Sequence, residues 1–136
     1  MSSLAVYFEK ILSKYSFITF IWITDADGVI VQNLANSKNP NSMNLDAKVL
    51  DKVKSTLSYV LNSSYDQIVK IEKEKLKCIM SVYENQTLFQ SKLNSNFYIH
   101  ILFNTEESNI EILKLITQDI NENISLKELN SIFENN

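Results

Sequence analysis

The chain has 136 residues, 45% of them apolar and 21% charged, with a formal net charge of −3. This size and composition are typical of one globular domain with its own buried core. With one Gly, one Pro, one Cys, one His and no Arg, the chain lacks the residues for a glycine-rich phosphate loop, a zinc site, an internal disulfide or an arginine finger. The scattered Lys residues and the negative net charge argue against nucleic-acid binding.

No apolar run approaches the roughly 20 residues of a membrane-spanning helix. The N-terminus resembles no signal peptide, and neither end carries a myristoylation or prenylation signal. The lone Cys suits a reducing compartment. We therefore expect a cytoplasmic protein with no membrane anchor of its own.

The first two predicted elements are a helix and a buried strand. Apolar residues recur at helical spacing over 4–15, and Ser3 is a suitable N-cap. Residues 17–23, FITFIWI, are almost all apolar, β-branched or aromatic. Such a run predicts a strand that is covered on both faces, in the middle of a sheet.

An acidic turn separates this strand from the next. Asp25, Ala26, Asp27 and Gly28 follow the first strand, and apolar residues resume at once over 29–34. Gly28 stands where a tight turn favours a positive φ. The pattern predicts a β-hairpin in which Asp25, Asp27 and Gly28 form a structural turn.

A polar loop over 36–44 holds the only Pro, and a second helix is predicted over 45–61. The apolar stripe of this helix is wide enough to cover the chain's own sheet and to face a partner as well. It consists of Leu45, Val49, Leu50, Val53, Leu57, Val60 and Leu61.

Three further strands follow. Cys78, Met80 and Val82 alternate with their neighbours in a strand that ends near Tyr83. Residues 86–91 predict a weaker strand, and residues 97–103 a second strand buried on both faces. Within it, His100 is interpreted as a sheet residue with satisfied hydrogen bonds.

A last helix is predicted to open at Asn104 or Thr105, with Glu106 and Glu107 in its favourable first turn. It extends to residue 124. Residues 125–136 form a C-terminal extension in which a capping-box pattern predicts a short helix.

The resulting order, α-β-β-α-β-β-β-α, predicts one three-layer α/β/α domain over residues 1–124 with a five-stranded antiparallel sheet. Only the first and last strands are expected to be covered on both faces. A mixed order that places them side by side at the centre of the sheet satisfies this expectation.

Three segments, in this order, resemble the roadblock/dynein light chain superfamily, and within it the Ragulator (LAMTOR) family of MAP kinase scaffold subunits. They are residues 22–36, WITDADGVIVQNLAN, residues 74–83, EKLKCIMSVY, and the entry to the last helix, TEES at 105–108. The resemblance covers most of residues 4–124. It implies a roadblock/longin-like fold with sheet order 2-1-5-4-3, the first and last helices on one face and the middle helix on the other.

The resemblance also implies a dimer. Members of the family pair through antiparallel middle helices and through edge-to-edge contact of their third strands. Carried onto this chain, the interface residues are Leu45, Val49, Leu50, Val53, Leu57, Val60, Cys78, Met80 and Val82. An edge strand with alternating apolar residues and little protection is physically suited to such pairing.

The function that the resemblance implies is non-catalytic scaffolding, without cofactors or metals. The chain would form a heterodimer with a second roadblock subunit, or a homodimer in isolation, and a lipidated partner would hold the pair on the cytosolic face of late endosomes and lysosomes. There the assembly would support Rag GTPases, TOR signalling and kinases of the MAP kinase cascade. An alternative within the same superfamily is a dynein-associated light chain.

An enzyme hypothesis arises from the same acidic turn. An apolar strand ending in Asp25, Asp27 and Gly28 also resembles the first motif of haloacid-dehalogenase-like phosphatases, in which Asp25 would be the nucleophile, Asp27 the general acid and Mg²⁺ the metal. That chemistry requires the motif at the end of a central parallel strand, with a later Ser or Thr, a Lys and a further acidic pair converging on the phosphate and metal; the sequence contains no Gly-Asp or Asp-Asp pair that could supply the acidic pair. We expect a turn and no catalysis.

Overall fold

The computed structural model describes residues 3–37, 78–93, 96–106 and 110–123. Within them the chain forms two helices and five strands. In chain order these are α1 (Ser3–Lys14), β1 (Ile18–Asp25), β2 (Ile30–Ala35), β3 (Ile79–Val82), β4 (Gln86–Lys92), β5 (Phe97–Asn104) and α2 (Ile110–Asn123). The predicted 45–61 helix and the 125–136 extension lie outside the described residues.

The five strands form one sheet in the order β2-β1-β5-β4-β3. Every neighbouring pair is antiparallel. The predicted strand order is therefore confirmed, with β1 and β5 side by side at the centre. β2 and β3 are the two edge strands.

One face of the sheet carries the main core. Alternate residues of β1 and β5 point to this face, and the inward sides of α1 and α2 pack against them. The buried residues of this core include Phe8, Ile11, Ile21, Ile23, Phe89, Ile99, Ile101, Phe103, Leu113, Ile116 and Ile120. The first and last helices thus cover the same face.

The opposite face holds a smaller buried cluster of Phe20, Trp22 and Leu88, against which Ile30 and Leu102 pack. These residues alternate with the core residues of the same strands. The central strands are consequently buried on both faces, as their continuous apolar sequences predict.

β4 is also buried on both faces, so the expectation that only β1 and β5 are covered in this way was wrong. Five consecutive residues of β4 are buried. Three of them, Thr87, Gln90 and Ser91, are polar, and this made the strand look weak in the sequence. Thr87 Oγ1 bonds to Thr105 Oγ1 and Gln90 Nε2 bonds to His100 Nδ1, which lowers the cost of burying them, whereas Gln90 Oε1 is buried with no hydrogen-bond partner within the described residues.

The last helix begins later than predicted. Asn104 is still part of β5, where it pairs with Gln86, and its backbone N donates to Phe17 O at 3.0 Å. Thr105 and Glu106 form a turn, and α2 begins at Ile110 with Glu111 in its first turn. Pairing with β4 keeps Asn104 in an extended conformation. The local sequence, which suggested a helix start at this position, contains no information about that pairing.

A tyrosine joins the two helices on the main-core side. The hydroxyl of Tyr7 donates a hydrogen bond to the carboxylate of Asp119. Burial and this carboxylate both raise the pKa of Tyr7 above its usual value. The hydroxyl therefore stays protonated at neutral pH and links α1 to α2.

Asn36 fastens the end of the first hairpin to the rest of the domain. Its side-chain Nδ2 donates to Leu12 O at 3.1 Å and to Ile18 O at 2.8 Å, and its backbone N donates to Thr19 O at 2.8 Å. One buried amide thus satisfies a carbonyl of the last turn of α1 and a carbonyl at the start of β1.

We predict that Asn36→Ala lowers the free energy of unfolding by about 1–3 kcal/mol, because two buried carbonyls lose their donor. Urea unfolding followed by circular dichroism measures the change. Asn33→Ala is the matched control, since Asn33 is exposed on β2, the strand that Asn36 directly follows, and its loss should change stability by less than about 0.5 kcal/mol. Equal effects of the two substitutions would contradict this role of Asn36.

Candidate functional site

The outer edge of β3 is the first candidate site. β3 pairs with β4 on one side, and within the described residues no strand pairs with its other side. Tyr83 N donates to Gln86 O at 2.8 Å across the β3–β4 hairpin, so the backbone groups of Tyr83 point toward β4. Because these groups alternate in an antiparallel ladder, those of Ser81 also face β4, and those of Met80 and Val82 face outward.

The three predicted interface residues of this strand share one face but differ in their surroundings. Cys78 lies just before β3, and Cys78 and Met80 are partly buried against the main core. Val82 is 69% exposed and its neighbour Tyr83 is 49% exposed. Of the three side chains, Val82 is therefore the one most accessible to a partner, whereas Cys78 and Met80 also stabilise the chain's own fold.

The remaining predicted interface residues, Leu45, Val49, Leu50, Val53, Leu57 and Val60, lie outside the described residues. Their role in association stays a prediction. The described residues therefore contain only the strand part of the predicted interface.

The acidic turn is the second candidate site. Asp25 Oδ1 accepts hydrogen bonds from the backbone N of Asp27 and of Val29, both at 2.9 Å. Gly28 has a φ of 85°, and its backbone N donates to Asp25 O at 3.1 Å. The side chain of Asp25 thus organises the bend, and the residue without a Cβ adopts the left-handed conformation.

This geometry differs from what the phosphatase hypothesis requires. The motif of that family follows a central parallel strand, whereas β1 is antiparallel to both β2 and β5. Asp25 and Asp27 lie in a hairpin turn that joins neighbouring strands. In the described part of the chain, no three His, Cys, Asp or Glu residues are grouped closely enough to hold a metal ion.

A buried polar row crosses the second face of the sheet. His100 Nε2 lies 2.7 Å from Thr24 Oγ1, and His100 Nδ1 lies 2.8 Å from Gln90 Nε2. The indole of Trp22 stacks on the imidazole, with ring centroids 5.1 Å apart and 12° between the planes. With the Gln90 amide in this orientation, its Nε2 donates to Nδ1 and the proton of the neutral ring lies on Nε2, directed at Thr24; the opposite orientation of the amide would place that proton on Nδ1 and give Gln90 Oε1 a donor.

The environment of His100 favours its neutral form. The residue is fully buried, and burial lowers its pKa to about 3. The interpretation of His100 as a sheet residue with satisfied hydrogen bonds is confirmed. Its partners Thr24 and Gln90 were not identified from the sequence, because they lie on two other strands. Gln90 is paired directly with His100 across β4 and β5, and Thr24 is the diagonal neighbour of His100 across β1 and β5.

We predict that His100 makes the protein less stable in acid. Its pKa is about 3 in the folded protein and about 6.5 in the unfolded chain. Between these values the unfolded state binds more protons, so stability falls as the pH falls below about 6.5, by up to about 1.4 kcal/mol per pH unit.

Urea unfolding at several pH values between 4.5 and 7.5 tests this prediction. Wild type should lose more stability across this range than His100→Gln, and the difference isolates the only His of the chain. In wild type, the NMR signals of the imidazole should not titrate above pH 4.5. A ring that titrates near pH 6.5 in the folded protein would contradict the prediction.

The lengths and apolar contents of the two described helices can be compared with what a membrane-spanning helix requires. Neither α1 nor α2 is both long and apolar enough to cross a membrane.

Solved structures with the same architecture identify the fold. A gliding protein MglB from Thermus thermophilus is 14% identical, with a TM-score of 0.66 over 97% of this chain and 89% of that one. A structure described as "MglB with tetrameric arrangement" is 12% identical, with a TM-score of 0.69 over 94% and 88% of the two chains. A roadblock/LC7 domain from Streptomyces avermitilis is 12% identical, with a TM-score of 0.61 over 82% and 89%.

The strand order and these similarities define the class of protein: the chain has the roadblock fold. A family model described as "Mitogen-activated protein kinase kinase 1 interacting" matches residues 2–132, almost the whole sequence. The chain therefore belongs to this family, and it is an adaptor-type roadblock protein. Comparison with curated proteins found no significant match.

Proposed function

We propose that this chain is a non-catalytic scaffold subunit that pairs with a second roadblock-domain subunit through the outer edge of β3. The main support for this proposal is the arrangement of backbone groups and exposed side chains at that edge. The outward backbone groups of Met80 and Val82 lie beside the exposed apolar side chain of Val82. A partner strand placed there would satisfy the backbone groups and cover the side chain in one contact.

The edge has few features that would keep another strand away. β3 itself, IMSV, contains no charged residue and no Pro, and these are the residues that usually protect exposed edges. Two of its apolar side chains, Ile79 and Met80, are only partly buried. A short, uncharged edge next to a packed core can pair with another strand without refolding.

The proposed interface has a second part in the predicted 45–61 helix. Its apolar stripe, Leu45, Val49, Leu50, Val53, Leu57, Val60 and Leu61, exceeds what one sheet face requires. The apolar cluster on the second face of the sheet supports a covering helix there. A helix that covers this face with one side presents its other side to the partner.

The descriptions of a structure with the same fold and of the family are consistent with a protein that associates with partners. One structure with this fold is described as a tetrameric arrangement of MglB, so the fold is compatible with assembly. The description of the family names an interaction with mitogen-activated protein kinase kinase 1. We extend this description to the present chain and propose that its complex binds kinases of the MAP kinase cascade.

We further propose that the pair belongs to a Ragulator-like assembly on the cytosolic face of late endosomes and lysosomes, where it supports Rag GTPases and TOR signalling. The support is the resemblance of residues 22–36, 74–83 and 105–108 to scaffold subunits of that complex. In this proposal a lipidated partner provides the membrane attachment.

We predict that Val82→Lys weakens association with the partner subunit by at least about tenfold, because a buried ammonium would face an apolar strand. Leu115→Lys is the matched control. Leu115 is 56% exposed on α2, so the same change there should leave association intact. Analytical ultracentrifugation of the chain alone, and of the chain with its co-purified partner, gives the two dissociation constants.

A pair of proline substitutions distinguishes the edge from the fold. Val82→Pro removes an outward N–H, so the domain should fold while association is lost. Ser81→Pro removes an N–H that faces β4, and should disrupt the hairpin itself. If Val82→Pro associates as wild type does, the outer edge of β3 is not the interface.

The cellular part of the proposal is tested with tagged full-length protein in its own cells. Wild type and Leu115→Lys should recover a second roadblock-fold protein and Rag-type GTPases, and should concentrate on lysosomes. Val82→Lys should recover neither and should be diffuse. A wild-type chain that stays monomeric when dilute and recovers no roadblock-fold protein would refute the proposal.

A further inference from the structure

Thr105, directly after β5, contacts the β3–β4 hairpin at three alternate positions. Its backbone N donates to Asn85 O at 3.1 Å. Its Oγ1 donates to Tyr83 O at 3.1 Å and lies 3.0 Å from Thr87 Oγ1. One residue therefore holds the end of the edge strand, the turn and the start of β4.

The hydroxyl of Thr105 is the centre of this arrangement. Because its single proton is donated to Tyr83 O, it accepts the proton of Thr87. A side chain of the same shape without a hydroxyl would lose both interactions and would keep only the backbone bond to Asn85.

The hairpin needs such an attachment because β3 is joined to the sheet on one side only. A second residue, Gln86, holds the start of β4: its Oε1 accepts from Thr19 Oγ1 at 2.7 Å, and its Nε2 donates to Asn104 Oδ1 at 2.9 Å. Gln86 thereby fixes β4 to β1 and β5. Among these polar side chains, it is Thr105 that bonds to Tyr83, at the end of the edge strand.

We propose that Thr105 is a positioning residue for the β3 edge, whose hydroxyl holds the β3–β4 hairpin in the plane of the sheet so that Met80 and Val82 present their outward backbone groups to a partner strand. The inference rests on the proposed function, since it concerns the same edge. The inference adds that Thr105, which lies outside the proposed contact surface, affects how tightly the β3 edge binds a partner strand.

The first experiment measures the hairpin without the partner. Amide hydrogen exchange of Tyr83 is followed by NMR in the Val82→Lys background, so that a change cannot result from lost association. Thr105→Val should speed exchange of this amide by about fivefold, because its bond to Gln86 O opens more often. Thr105→Ser, which keeps the hydroxyl, should restore the slow exchange.

The second experiment measures association by ultracentrifugation with Val82 intact. Thr105→Val should raise the dissociation constant by about fivefold, and Thr105→Ser should return it to the wild-type value. Thr117→Val is the matched control: Thr117 is buried on α2 and its hydroxyl donates to Leu113 O at 3.0 Å, remote in the chain from the hairpin. This control should change neither measurement.

The outcomes separate the two proposals. If wild type associates but Thr105→Val leaves exchange or association unchanged, or Thr105→Ser fails to restore them, the role of Thr105 is refuted and edge pairing stands. If wild type does not associate, edge pairing fails, and with it the role of Thr105 in binding; the exchange measurement then decides only whether its hydroxyl holds the hairpin.

Discussion

Seven residue pairs, from Ile18–Phe103 to Asp25–Phe97, join β1 to β5 in the antiparallel ladder at the centre of the sheet. This ladder brings together the two most apolar segments of the chain, which are separated by more than 70 residues. Both segments are buried on both faces, so neither is suited to a sheet edge. Once they pair, β2 and β4 can add only on the outside, and β3 becomes the edge strand through its hairpin with β4.

The two faces of this ladder serve different purposes. One face packs α1 and α2 in the larger of the two apolar clusters that the described residues form, and burial of such apolar surface drives folding. The other carries a smaller apolar cluster and the row Thr24–His100–Gln90. Buried polar groups contribute little net stability, but leaving one of them unpaired is costly. The row therefore favours the observed register of β1, β4 and β5 over shifted pairings, which would break both hydrogen bonds of the imidazole.

The same construction links the fold to an adaptor role. A sheet that buries its central strands leaves two edges, and the four residues of β3 itself include no charged residue and no Pro to oppose another strand. The hairpin that carries this edge is attached to β1 and β5 by Gln86 and Thr105. A stiff edge loses less conformational freedom when it binds, so in the proposed pairing the polar contacts at the hairpin end would favour association although they lie away from the contact surface.

Local patterns in the sequence are sufficient to predict several elements and the order in which they follow one another. Apolar periodicity located α1, β1 and β5, the Asp25–Gly28 bend, and the alternation of β3, because each is a local pattern of burial or turn chemistry. The central pairing of β1 with β5 was also predicted from their apolar sequences, whereas the full strand order was implied by the family resemblance. Long-range packing, in contrast, is what buries β4, keeps Asn104 in β5, and lets Asn36, Gln90 and Thr105 hold distant segments together. These polar residues carry no local signal, because the groups that accept from or donate to them come from other segments of the chain, and only the folded structure brings each matching donor and acceptor together.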